Sequence, residues 1–259
     1  MEDTSGLDLR TFFEQWIDRS GAPSLIMSNV LLEAEKVSFT LSQPELPYSL
    51  NVPIKLITKD GEEMFQASID GKASQIDLPL SAQPLSISVD PDFDVFRRLD
   101  STEASPILRD TTLAANSVVV FIGSHKAMQK MAKQLAARIM DRPSRFEKAS
   151  QMSKHNGPML IIGTTLEVAQ FLHQKDFPAT PKTLQGRGTA RVWAARRQSS
   201  DGTSLPLLVV EANDPQALQD LLRPLPHYGR RGYLVFNAAK AIDDGVWPAG
   251  VGPLSVTFD

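Results

Sequence analysis

The chain has 259 residues, 42% of them hydrophobic, which is enough to bury a core and suits two domains better than one. It contains no cysteine, so disulfides, thiolate nucleophiles and cysteine-held zinc are excluded. The formal charge of −3 hides an asymmetry, because residues 1–110 carry nine Lys and Arg against nineteen Asp and Glu, and residues 111–259 carry eighteen against eleven. Such an arrangement draws the two parts together, draws an anion to the second, or leaves two separately solvated surfaces. The longest apolar runs, 117–123 and 158–163, fall far short of the roughly 20 residues that cross a bilayer, so no membrane span is expected. The first six residues are acidic and polar where an export signal would be basic and then apolar, and the compartment stays open between cell envelope and cytoplasm.

In chain order, Leu9, Phe12, Phe13, Trp16 and Ile17 recur at helical spacing and predict an amphipathic helix over 8–20, capped by Asp8 or Ser5 and ended by Gly21 and Pro23. So short a helix cannot bury three aromatic rings within itself. From 24 to 89 the period becomes two: Val37, Phe39 and Leu41 alternate with polar neighbours, as do Leu50, Val52, Ile54 and Leu56. Turns at 59–61 and 70–71 and further strands near 65–69, 76–80 and 85–89 predict an antiparallel sandwich, with Pro53 marking an edge or a bulge. Residues 90–110, charged and with two prolines, read as an exit and linker.

The second part alternates strand and helix. The runs 117–123 and 158–163 suit strands buried on both faces. Each is followed by a predicted helix, 125–140 with Met128, Met131, Ala132, Leu135 and Ile139 on one face, and 164–173 with Thr164 and Glu167 at capping-box spacing. Segments 189–197 and 205–211 predict an antiparallel pair around the turn 200–202. Asp214-Pro215 opens a helix to about 222, 233–236 is the last core strand, and 237–244 reads as a short helix stopped by Gly245. The pattern is that of a three-layer α/β domain on a mixed sheet.

Candidate chemistry is sparse. His125, His155, His173 and His227 are scattered, no H-E-x-x-H exists, and no metal site or catalytic residue is expected. Two strand-to-helix turns, at Gly123-Ser124 and Gly163-Thr164, present hydroxyls at helix N-termini, where α/β sheets bind anions; the same hydroxyls also serve as plain helix caps. His227, Tyr228 and Arg230 form a loop able to hold a carboxylate or phosphate, or to pack through Tyr228 with the arginine in water. Arg187, Arg191, Arg196 and Arg197 form another basic group, but alternation splits them between two faces and interleaved aromatics are missing, so nucleic acid is not an expected partner.

The residues Asp8-Leu9-Arg10-Thr11-Phe12-Phe13-Glu14-Gln15-Trp16-Ile17 and Gly21-Ala22-Pro23, then 37–43 and Val52-Pro53-Ile54, then Val89-Asp90-Pro91-Asp92 with Phe96-Arg97-Arg98-Leu99, occur in order over residues 7–100. This series resembles the end of the catalytic domain and the following β-sandwich of the aminopeptidase N family of zinc metallopeptidases. The resemblance implies that residues 1–22 are the terminal helix of a catalytic domain absent from this chain, 23–100 a supporting sandwich, 101–112 a linker and 113–259 an α/β domain in place of the family's helical one. Zinc is expected in that absent domain and no cofactor in this chain. The implied partners are that domain, or a second copy through the helix of Phe12, Phe13 and Trp16. The expected function is thus non-catalytic support and contact, the alternative being an α/β domain that binds a small anion at the strand-to-helix turns.

Overall fold

The computed structural model describes residue 6 and residues 8–142, 145–149, 155–199 and 201–258. Ser5 and Ser200, expected as a cap and as part of a turn, lie outside the described residues. The chain forms two compact units, one of Met1–Ala104 with Ala249–Asp259 and one of Ser105–Pro248.

In the first unit a short helix α1 (Arg10–Phe13) continues as a π-helical turn over Glu14–Asp18. Asp8 accepts the Arg10 N–H at 3.0 Å, supplying one of the partners that a helix start lacks. The wider turn alters the phase of the aromatic stripe. Trp16 packs on Tyr48 and Phe96, with ring centroids 5.2 and 5.9 Å away, whereas Phe12 and Ile17 stay exposed. Gln15 fixes the seat by exchanging two hydrogen bonds with the backbone of Ser49.

Strands β1 (Ile26–Leu32), β2 (Lys36–Ser42), β3 (Leu50–Thr58), β4 (Gly61–Ile69), β5 (Ala73–Pro79) and β6 (Pro84–Val89) make two antiparallel sheets, ordered β1-β2-β5 and β6-β3-β4. The alternating residues point inward from both: Val37, Phe39 and Leu41 meet Val52, Ile54, Leu56 and Ile87 in one core. β3 is a central strand, not an edge, yet Pro53 fits because the β6 ladder begins only at Ile54. Beyond it the Pro53 carbonyl accepts the N–H of Asp90 at 2.7 Å, and the donor that proline lacks is not needed on that side.

Asp90 has a φ of 52° and turns the chain out of β6. Its carboxylate receives the Arg97 Nε at 2.7 Å, and Glu103 grips the same guanidinium with two bonds of 2.9 Å. Burial by itself would weaken the Arg97 cation, but the hydrogen bonds and charges of Glu103 and Asp90 outweigh it and hold the guanidinium above its ordinary range. Residues 101–104, expected within a linker, are therefore pinned to this unit.

The second unit contains helices α2 (Leu108–Thr112), α3 (Lys126–Ile139), α4 (Thr165–Gln174) and α5 (Pro215–Asp220) with a 3-10 turn at Leu225–Tyr228. Its strands are β7 (Val118–Phe121), β8 (Arg145–Lys148), β9 (Met159–Thr164), β10 (Ala190–Gln198), β11 (Ser204–Ala212), β12 (Tyr233–Asn237) and β13 (Lys240–Gly245), in one mixed sheet ordered β13-β12-β10-β11-β9-β7-β8. β8, β7, β9 and β11 run parallel, and β10 and β13 are reversed. The central strands are apolar throughout because both faces are covered. Leu108 of α2, Met128, Ala132 and Leu135 of α3 and Leu218 of α5 lie over one face, and Val168, Phe171 and Leu172 of α4 over the other.

Two expectations change at the end of the chain. Residues 237–244 form a hairpin, not a helix. Ala238 takes a φ of 50°, Asn237 pairs with Lys240, and the partner strand β12 overrides the helical preference of Ala and Lys. Residues 255–257 belong to neither an α/β layer nor a helix, since Ser255–Thr257 forms β14 and pairs with β6 of the first unit's sheet. At the β10–β11 turn, hydrogen bonds from the Ser199 hydroxyl and then from Thr203 keep the exposed Asp201 carboxyl at about 2. Among the described residues no helix is long and apolar enough to cross a membrane.

Candidate functional site

The parallel strands β7 and β9 end side by side, at Gly123 and at Gly163-Thr164. A Cβ at Gly163 would lie 3.0 Å from the Ile122 carbonyl and from Val168, so the glycine lets β7, β9 and α4 close up. Thr164 caps α4: its hydroxyl accepts the Glu167 N–H and donates to the Glu167 carboxylate at 2.6 Å. That carboxylate also covers Gly123, where a Cβ would sit 2.5 Å from it. The position at which an anion would meet this helix start is already filled by the protein's own negative charge. Ser124 is exposed beside it, and His125 places no side-chain bond on the start of α3.

His227, Tyr228 and Arg230 lie elsewhere. They precede β12, whose first residue is in register with Trp193 and whose last residues are in register with the start of β10. Because β12 runs parallel to β9, this loop is at the amino edge of the sheet, whereas Gly123 and Gly163 are at the carboxyl edge. Tyr228 packs edge-on against Phe236 with centroids 6.0 Å apart, and His227 and Arg230 are exposed. The two groups of residues do not form one site.

A different set of residues does converge. A groove of about 480 Å³ runs along α4, lined by Thr165, Ala169 and His173 from one side of the helix and by Asp176 and Phe177 just past its end. The returning loop supplies Ala179, Thr180, Gln185 and Gly186, and Glu211 of β11 forms the floor. At 1.5 Å per residue, the eight steps from Thr165 to His173 make it roughly 12 Å long. This volume lies within the range of roughly 300–1,000 Å³ usual for small-molecule sites.

The floor is held by a buried ion pair. Arg191 is 2% exposed and Glu211 is fully buried, and the Arg191 Nε donates to the Glu211 Oε1 at 2.5 Å. The remaining guanidinium nitrogens reach the Arg187 carbonyl at 2.7 Å and the Thr165 hydroxyl. The second Glu211 oxygen accepts the Thr180 hydroxyl at 3.2 Å. One charge pair therefore ties both walls to the floor, because Thr165 belongs to the helix and Thr180 to the loop. Two further bonds brace the loop: Gln185 donates to the Thr180 carbonyl at 2.9 Å, and Arg187 pairs with Asp243 of β13 at 2.6 Å. Gly188 closes it with a φ of 61°, and a Cβ there would lie 2.2 Å from the Phe236 carbonyl.

The basic group read from the sequence is thus dispersed. Arg191 and Arg197 share the face covered by α4, as alternation implies, and both are buried. Arg197 donates to the carbonyls of His155 and Gly157, at 2.9 and 2.8 Å, and sits 5.6 Å from the Phe177 ring centroid; burial pushes its guanidinium down from the ordinary value. Arg196, on the opposite face, pairs with Asp110 at 3.6 Å. Among the described residues no three His, Asp or Glu side chains are grouped so as to hold a metal ion.

Asp176, Phe177, Thr180, Gln185 and Glu211 were not singled out in the sequence, and His173 was read only as one of four scattered histidines. Two signals were present. Glu211 is the lone charge of an apolar strand and Arg191 stands among apolar residues at the start of its own, and Thr165, Ala169 and His173 follow one another at four-residue steps. Compared with known proteins, the chain matches no family model and no curated protein.

Proposed function

We propose that the chain is a non-catalytic binding protein whose α/β unit takes a small organic molecule in the groove beside α4, the antiparallel unit serving as scaffold. The carrying observation is the buried Arg191–Glu211 pair, whose hydrogen bonds tie both walls of the groove to its floor. Walls fixed by the protein's own bonds need less ordering when a ligand binds. Ala169 is exposed on the groove side of α4, so Ala169→Phe fills the space without touching the core. In a fragment screen read by amide chemical shifts, hits should perturb residues 165–186 and 211 in the wild type and vanish in Ala169→Phe. Hits that ignore this substitution would remove the groove from consideration.

A second reading concerns the first unit and follows the resemblance to the aminopeptidase N family, in which such a sandwich supports a neighbouring domain. It is favoured by Phe12, Ile17, Leu46 and Phe96, all exposed around the Trp16–Tyr48 pair, an apolar surface of the kind that marks contact sites. If a second copy covers it, sedimentation velocity should show mass growing with concentration, and Phe12→Ser/Ile17→Ser should stay monomeric. A wild type that is monomeric throughout would count against self-association here.

A further inference from the structure

Resting on the groove reading above, we infer that the ligand is an elongated amine, with a cationic head near Asp176 and an apolar body along Ala169, Phe177 and Ala179. The hydrogen-bonding capacity of the groove favours a ligand that donates. Most donors around the groove face the protein: three Arg191 N–H groups go to Glu211, Thr165 and the Arg187 carbonyl, Thr180 goes to Glu211, one Gln185 N–H to the Thr180 carbonyl, and Thr165 to Asn213 at 3.4 Å. The exposed Asp176 carboxylate offers about four lone-pair sites, whereas Glu211 is fully buried and both its oxygens are taken by Arg191 and Thr180. His173 and the second Gln185 N–H are the side-chain donors that remain among the described lining residues.

Charge points the same way. Among the described residues no lysine or arginine lines the groove, and both charged lining side chains apart from histidine are acidic. Glu211 is neutralised by Arg191, so the uncompensated charge is that of Asp176. The excess of positive charge in the second half of the chain therefore lies outside the groove, and a carboxylate or phosphate entering it would meet the like charge of Asp176 with only His173 and one Gln185 N–H as side-chain donors. An ammonium group brings three donors and the opposite sign. The groove length of roughly 12 Å matches a ring joined to a short alkyl chain, its apolar part on Phe177 and the alanines.

The test uses three probes of one shape, 4-phenylbutylamine, 4-phenylbutanol and 4-phenylbutanoate, titrated into the full chain and followed by amide shifts at 165–186 and 211. The amine should bind tightest and the carboxylate weakest. Asp176→Asn should weaken the amine about threefold and leave the alcohol unchanged, and added salt should do the same, as for a partly exposed ion pair. A carboxylate that binds the groove as tightly as the amine, or an amine indifferent to Asp176→Asn, overturns the ligand class while the groove stands. If none of the three perturbs those residues, the groove reading falls and this inference with it.

Discussion

Replacing Glu211 with Leu should destabilise the α/β unit by about 3–5 kcal/mol, because it strands the Arg191 guanidinium, 2% exposed, in the middle of the sheet without a counter-charge. For a unit of this size that is a fall in melting temperature on the order of 10 °C. Arg191→Met/Glu211→Leu removes both charges and should recover most of the loss, since well-packed apolar pairs often replace buried ion pairs at little cost. Thermal unfolding of the two variants checks this. The double variant should nonetheless bind groove ligands poorly, as Thr165 and Thr180 lose the groups that hold them. Stability regained together with unimpaired binding would show that the pair does not position the walls.

In the antiparallel unit the corresponding result is for Arg97→Met, which leaves Asp90 and Glu103 facing one another, 1% and 5% exposed, with no cation between them. The expected loss is again about 3–5 kcal/mol at neutral pH. Its pH dependence has a defined sign. In the wild type the raised Arg97 value means its contribution is complete below the ordinary arginine range and is lost only above it, so it is constant through the physiological window. Chemical denaturation of the variant beside the wild type reads the loss directly, and a variant as stable as the wild type would mean that the guanidinium does not hold Asp90 and Glu103 in place.

Neither ion pair was visible as a pair in the chain. Arg97 and Glu103 read as part of a charged exit segment, and Arg191 as one of four arginines, because the partners are joined only when β6 turns out at Asp90 and when β10 lies beside β11. The same holds for the groove. Its walls come from α4 and the loop that follows it, but its floor comes from β11, 25 residues beyond Gly186, so no short window of sequence contains it.

What the sequence by itself determined is the local grammar. Period-two alternation in β2 and β3 placed Val37, Phe39, Leu41, Val52, Ile54 and Leu56 in the core; unbroken apolar runs marked β7 and β9; and Thr164 with Glu167 marked the start of α4. These signals survive because each depends on spacing along one element. Tertiary structure alone decided that 237–244 would turn back as a hairpin, since β12 offers Lys240–Gly245 a ladder worth more than their helical preference. It alone returned 255–257 to β6 and sent His227 and Gly163 to opposite ends of one sheet. Those outcomes turn on which strands lie side by side, a choice made by long-range burial and pairing that no local pattern encodes.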